Sequence, residues 1–292
     1  MAFKSGFISI IGRPNAGKST LLNRITGEKI SIVSPKPQTT RNVIRGVLNR
    51  EDSQIIFIDT PGIHKGKGLL NEFMVKEAVS SLSDVDAVVL LVESEKPVSD
   101  DDRLVLEAVK GLKCPVILCL NKVDQVDKRQ LLPLIDEYSK AYAFREIIPI
   151  SALKGEGVEL LLTTLTALMP EGPKYFPDDS VTDLPERFIV AEMVREKVFL
   201  YAREEVPYSV AVTVDKFTEK KDIISISATI NVERESQKGI VIGKGGAMLK
   251  KIGSSARQEI EGLLGKKVFL ELFVRVHKEW TKKPGALKDF GY

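Results

Sequence analysis

Gly12-Arg13-Pro14-Asn15-Ala16-Gly17-Lys18-Ser19, with Thr20 behind it, directly follows the apolar run Phe7-Ile8-Ser9-Ile10-Ile11. The stretch matches G-x-x-x-x-G-K-S where that pattern carries meaning, after a strand and at the start of a helix. Its glycines let backbone N–H groups wrap a phosphate in conformations that a side chain would obstruct. Lys18 brings a positive charge to the outer phosphates, Ser19 offers a hydroxyl to Mg²⁺, and the helix that begins here adds its positive end. The loop therefore implies a nucleoside triphosphate and leaves the base open.

Outward from this loop, apolar runs at Ile55–Asp59, Ala87–Val92, Val116–Leu120 and Ile147–Ile150 alternate with amphipathic stretches. The alternation predicts an α/β fold, a mainly parallel sheet flanked by helices, with ligands bound at the carboxyl ends of its strands. Every candidate motif falls at such an end. Asn121-Lys122-Val123-Asp124 follows the fourth of these five runs. A carboxylate at Asp124 can accept from guanine N1–H and its amine, whereas adenine presents a lone pair there. Asn121 would tie the loop together and contact the purine edge, and the Lys122 stem would cover one base face. Ser151-Ala152 follows the last run and offers a backbone N–H to guanine O6.

Asp59-Thr60-Pro61-Gly62 places a carboxylate near Mg²⁺ and a glycine N–H near the γ-phosphate. The polar segment Pro35-Lys36-Pro37-Gln38-Thr39-Thr40-Arg41 lies between the two, and Thr40 is the candidate third Mg²⁺ ligand. Both read as switch loops, ordered by triphosphate and released on hydrolysis. Lys18, Thr40, Asp59, Gly62 and Asn15 are the candidate catalytic residues. The position after Gly62 is Ile63, followed by His64, so the glutamine that orients water in Ras-like enzymes is missing and slow intrinsic hydrolysis is expected.

At 292 residues and 32.3 kDa, two domains are the natural reading. Pro170, Pro173, Pro177 and Pro185, with acids between them, divide residues 1–170 from 185–292 through a linker at 171–184. The second part reads as a helix from Pro185 to Glu204, strands at Ser209–Thr218 and Asp222–Val232, a helical pair around Gly243–Gly246, and a strand at Val268–Val276. Glu192, Arg195 and Glu196 fall at helical spacing and read as a solvated face. Residues 238–292 hold 12 Lys or Arg against 5 acids, a local net of +7 within a chain total of +3. That excess suggests a polyanionic partner, nucleic acid before membrane surface. Neither a signal peptide nor a membrane span is expected, and Cys114 and Cys119 read as inert thiols.

The five motifs together resemble the Era family of TRAFAC GTPases. Val241-Ile242-Gly243-Lys244-Gly245-Gly246 is similar to the G-x-x-G loop of a type II KH domain, and the resemblance covers nearly the whole chain. It implies a P-loop G domain followed by a smaller α+β KH domain, in a cytoplasmic protein with peripheral contact to the inner membrane, expected to be a monomer. It also implies GTP and GDP binding, Mg²⁺, and a partner in the 3′ end of 16S ribosomal RNA during 30S subunit assembly. Ile242, Gly243, Lys244, Gly245, Gly246, Lys250 and Lys251 are the implied RNA-binding residues, with Ile240, Val241, Met248 and Leu249 lining or underlying the groove. Asn15 matches the position at which related GTPases ligate an activating K⁺.

Overall fold

The computed structural model describes residues 2–202 and 205–292. By its contacts the chain forms two compact units. The first holds residues up to Ser31 with Thr40–Gly66 and Glu72–Asp183, and the second holds Ile32–Thr39, Lys67–Asn71 and Leu184–Tyr292.

Along the first part of the chain the elements run β1 (Lys4–Ile11), α1 (Lys18–Thr26), β2 (Ile44–Asn49), β3 (Ser53–Asp59), α2 (Leu69–Ser80), β4 (Ala87–Glu93), α3 (Asp100–Val109), β5 (Val116–Asn121), α4 (Leu131–Ala141), β6 (Glu146–Pro149) and α5 (Val158–Leu168). The sheet order is β2-β3-β1-β4-β5-β6. β3, β1, β4, β5 and β6 pair in parallel, and β2 is antiparallel to β3. β3, β4 and β5 are buried at every residue. That is why they read as continuous apolar runs: helices cover both faces of a parallel sheet. β1 lies between β3 and β4, so the strand order reverses at the loop that follows it, where such sheets open a crevice for ligands.

β2 is not among the strands read from the sequence. Ile-Arg-Gly-Val-Leu-Asn lacks a clean alternation, and its strand character comes from pairing with β3, from Ile44 opposite Asp59 to Asn49 opposite Gln54. The stretch 171–184 is laced along this edge. Val47 N donates to Val181 O at 2.8 Å, and the Gln54 amide both donates to Phe176 O and accepts from Tyr175 N, at 2.8 and 2.7 Å.

In the second unit come α6 (Glu186–Tyr201), β7 (Ala211–Glu219), β8 (Ile223–Val232), α7 (Glu235–Ile242), α8 (Ala247–Leu264), β9 (Lys267–Val276) and α9 (Pro284–Asp289). The end of the first helix, read as Glu204, lies outside the described residues. The sheet order is β7-β8-β9, with β8 and β9 parallel. Val190, Val194 and Val198 of α6, Ile252, Ala256 and Ile260 of α8, and Ile226 and Ile230 of β8 build its core.

The solvated face expected on α6 is a correction. Glu192, Arg195, Glu196 and Lys197 are all buried. Arg195 pairs with Glu192 and donates to Thr39 O; Glu196 accepts from Val33 N at 2.9 Å; Lys197 bridges Glu196 and Glu259. Buried charges persist only when paired in this way, and their spacing along the helix is the same as that of an exposed row.

Candidate nucleotide site and nucleic-acid groove

Lys18 is buried, and its ammonium donates to the carbonyls of Gly12 at 3.1 Å and Arg13 at 3.0 Å. Burial draws its pKa down to about 8, against the pull of the Asp59 carboxylate. Ser19 Oγ donates to Asp59 Oδ2 at 2.7 Å and lies 2.8 Å from Thr40 Oγ1, and Ser31 Oγ donates to the same carboxylate oxygen at 2.9 Å. Asp59 is fully buried, and its Oδ1 has no hydrogen-bond partner among the described residues. Burial pushes its carboxyl above the usual range, while Lys18 and the two serine hydroxyls pull it back. A buried carboxylate with one uncommitted oxygen beside two converging hydroxyls fits a hard divalent cation such as Mg²⁺. Of the two threonines, Thr39 is committed to Lys36 O and the Ser34 hydroxyl, both at 2.7 Å. Thr40 is therefore the one that meets Ser19.

The Asp59–Gly62 loop is packed onto the phosphate loop. Thr60 Oγ1 donates to Ile10 O at 2.9 Å, and Ile63 N donates to Gly12 O at 3.2 Å. A Cβ on Gly62 would stand 2.5 Å from Pro14 N, so only glycine allows that approach. Ile63 is buried and His64 Nδ1 lies 3.0 Å from Gly62 O. Asn15 holds a left-handed backbone at φ 66° within the loop.

Asn121 joins the loops. Its Nδ2 donates to Ala16 O at 2.7 Å and its Oδ1 accepts from Ala152 N at 2.9 Å, so one side chain ties the phosphate loop to the Ser151-Ala152 turn. Asp124 is exposed. Lys122, left-handed at φ 71°, donates to Glu93 at 3.0 Å. Glu93 is buried at the end of β4, also accepts from Lys96 at 2.9 Å and faces Arg13 at 3.4 Å. Burial alone would raise its pKa, but the Lys96 and Lys122 hydrogen bonds hold it below the usual range.

In the second unit, Gly243-Lys244-Gly245-Gly246 turns between α7 and α8, with positive φ at Gly243, Gly245 and Gly246. Gly243, at φ 73°, has no room for a Cβ, which would sit 2.7 Å from the Cβ of Met248. Beside the turn lies a groove of about 440 Å³ lined by Gly246, Leu249, Lys250, Gly253, Arg257 and Leu272, among others. Of the apolar residues expected near it, Leu249 lines the groove, Val241 is core, and Ile240 is exposed. Lys250 is on the groove, whereas the Lys251 ammonium sits over the Tyr201 ring at 4.2 Å.

A 50S ribosome-binding GTPase family matches residues 7–122, and a KH domain family matches residues 205–281. GTPase Era of Geotalea uraniireducens (strain Rf4) is 58% identical over 291 residues, covering 99% of this chain and 98% of that one. The chain belongs to the Era family of GTPases. Era of Syntrophus aciditrophicus (strain SB) is 54% identical over 292 residues, with 99% and 95% of the two chains covered. Among solved structures, an Aquifex aeolicus Era variant bound to GDP·AlF4⁻ matches at TM-score 0.96 and 43% identity over 99% of both chains. An Era complex with MgGDPNP and nucleotides 1506–1542 of 16S ribosomal RNA matches equally well, at 0.96 and 43% over 99% of both.

This Era-family GTPase uses residues that motif reading passes over. Arg24, on α1, donates to Ala152 O at 3.3 Å and to Leu153 O, and so ties that helix to the turn after β6. Nothing in the sequence marks it. Glu93 did leave a signal: a lone acid closes an otherwise apolar, fully buried strand. Arg257, Leu270 and Leu272 join the groove through helical and strand spacing that equally suits plain core and surface.

Proposed function

We propose that this GTPase is a switch whose guanine-nucleotide state sets its affinity for single-stranded RNA at the 3′ end of 16S ribosomal RNA, timing a step of small-subunit assembly. The observation that carries the RNA half is the groove beside Gly243–Gly246, with apolar walls and cationic groups at Lys250 and Arg257. It suits about four nucleotides of single strand with the backbone against a G-x-x-G turn. The similar Era bound to nucleotides 1506–1542 supports the choice of RNA.

In the nucleotide half, the backbone N–H groups of Gly12–Ser19 and the Lys18 ammonium hold the phosphates, while Asn121, Lys122, Asp124, Ser151 and Ala152 hold guanine. Ser19, Thr40 and Asp59 would bind Mg²⁺, which neutralises charge that develops between the β- and γ-phosphates. Gly62 N–H meets the γ-phosphate, and hydrolysis gives GDP and phosphate. With Ile63 buried, no side chain after Gly62 orients the attacking water, which favours a slow intrinsic rate. Asn15 is the proposed K⁺ ligand: K⁺ should raise the rate over Na⁺, Asn15→Ala should erase the difference, and equal rates in both salts would reject it. The domain limits 1–170 and 185–292 and a monomeric state belong to the same reading.

The test is binding of a short 3′-end RNA with a non-hydrolysable GTP analogue or with GDP, for wild type and for Lys244→Asp with Gly245→Asp. Tighter binding with the analogue, lost in the variant, is expected; binding indifferent to nucleotide would refute the switch. Coupling is reciprocal, so the RNA must tighten analogue binding by the same factor. No helix among the described residues is long and apolar enough to cross a membrane. A peripheral contact with the inner membrane rests on the basic carboxyl-terminal third and predicts binding to anionic liposomes that survives the same double substitution.

A further inference from the structure

The sheet of the second unit carries its helices on one face. On the edge strand β9, Val268, Leu270, Leu272, Val274 and Val276 pack toward them. Lys267, Phe269, Glu271, Phe273 and Arg275 alternate with these on the opposite face, and all five are exposed. The two rings are unusually bare for large apolar side chains, at 52% for Phe269 and 54% for Phe273. Register places Ser225 beside Phe269, Ser227 beside Glu271 and Thr229 beside Phe273. The strip thus reads cation, ring, carboxylate, ring, cation, flanked by the half-buried Ser225 and Ser227, while Thr229 is buried and donates to Asp215 at 2.6 Å.

We propose that this strip is a stacking platform for single-stranded RNA that extends beyond the groove. Phe269 and Phe273 are roughly 13 Å apart at the rise of a strand, far enough for each to take the face of a separate base. Base–aromatic stacking of this kind tolerates any base. Glu271, between the rings, accepts from exocyclic amines such as cytosine N4, while Lys267 and Arg275 meet phosphates at the two ends. A protein partner fits less well, because the centre of a protein interface is a contiguous apolar patch depleted of charge. Here a carboxylate and serines separate the rings.

The platform is continuous with the groove. Leu270 and Leu272, on the other face of the same edge strand, line that groove, which takes about four nucleotides. A longer single strand reaches the phenylalanines by passing over the β9 edge. The inference therefore rests on the reading of the groove as an RNA site.

The experiment uses the full chain with a GTP analogue and measures fluorescence anisotropy with RNAs of about five nucleotides, the length of the groove, and about twelve. The longer RNA should bind at least tenfold more tightly. Phe269→Ala with Phe273→Ala should remove that gain and leave the short RNA unchanged, and the paired Tyr substitutions should retain it. Longer-RNA affinity within twofold of wild type in the Ala pair overturns the platform and leaves the face to a protein. If the short RNA fails to bind wild type, the groove reading falls, and sensitivity of the longer RNA to the Ala pair still decides the platform. Should the Ala pair melt at a lower temperature, Glu271→Gln carries the test: it must abolish a preference for cytosine-rich over uracil-rich longer RNA, and an unchanged preference refutes the proposal.

Discussion

Replacing Asn121 with Ala should uncouple the two halves of guanine-nucleotide recognition, removing the bridge between the loops together with the side chain's own contact to the purine. The side chain is buried and makes two short hydrogen bonds, to Ala16 O at 2.7 Å and from Ala152 N at 2.9 Å. Its backbone stays in place, because the Asn121 carbonyl accepts from Ser94 N and Ser94 Oγ at 2.9 and 2.7 Å. The substitution leaves a buried carbonyl and a buried N–H without partners, each at a cost of about 1–3 kcal/mol. At least about 2 kcal/mol is then lost from the arrangement in which the phosphate loop and the Ser151-Ala152 turn face one ligand. Because only the arranged fraction binds, affinity for GDP should fall roughly 30-fold or more. Titration with a fluorescent GDP analogue reads the affinity, and thermal unfolding in the presence and absence of GDP reads the stability. Affinity within threefold of wild type would refute the reasoning. A lower melting temperature with unchanged affinity would make Asn121 a peg of the fold alone.

Other substitutions probe the remaining pieces. Gly62→Ala puts a Cβ 2.5 Å from Pro14 N and forces the two loops apart, so single-turnover hydrolysis should drop about 100-fold, the usual effect of a misplacement near 1 Å, while GDP affinity moves much less. Asp124→Asn, at an exposed position, should leave the melting temperature alone but cost guanine about 3 kcal/mol through two charge-assisted hydrogen bonds; competition assays should show xanthine nucleotides gaining as guanine loses. Arg195→Ala strands the buried Glu192 carboxylate and should destabilise the second unit by about 3–5 kcal/mol in urea unfolding; a loss under 1 kcal/mol would show that the pair is dispensable.

The parallel strands were legible because burial on both faces writes itself as unbroken apolar runs, and the nucleotide motifs because phosphate and guanine chemistry permits few residue types at each position. β2 escaped because pairing with β3, not its own pattern, makes it a strand. Sequence reading picks Thr40 over its chemically identical neighbour Thr39 without a physical reason, and the engagement of Thr39 with Ser34 and Lys36 supplies one. The α6 charges misled for a related reason. Spacing of three or four residues tells which side chains share a face, and what that face meets depends on residues distant in the chain, such as Val33 and Thr39 for Glu196 and Arg195.

Glu93 shows how a site of separate motifs comes to act as one. The phosphate loop and the guanine loop lie about a hundred residues apart, and each alone is a surface turn held by local bonds. Glu93 closes β4, the strand between β1 and β5, so its carboxylate emerges between the loops that those two strands carry. It binds Lys122 from one and faces Arg13 of the other. Asn121, its register partner on β5, reaches the phosphate loop from beneath through Ala16. On the proposed reading of the two loops, base and phosphate recognition are joined twice, by a neutral amide and by a buried carboxylate.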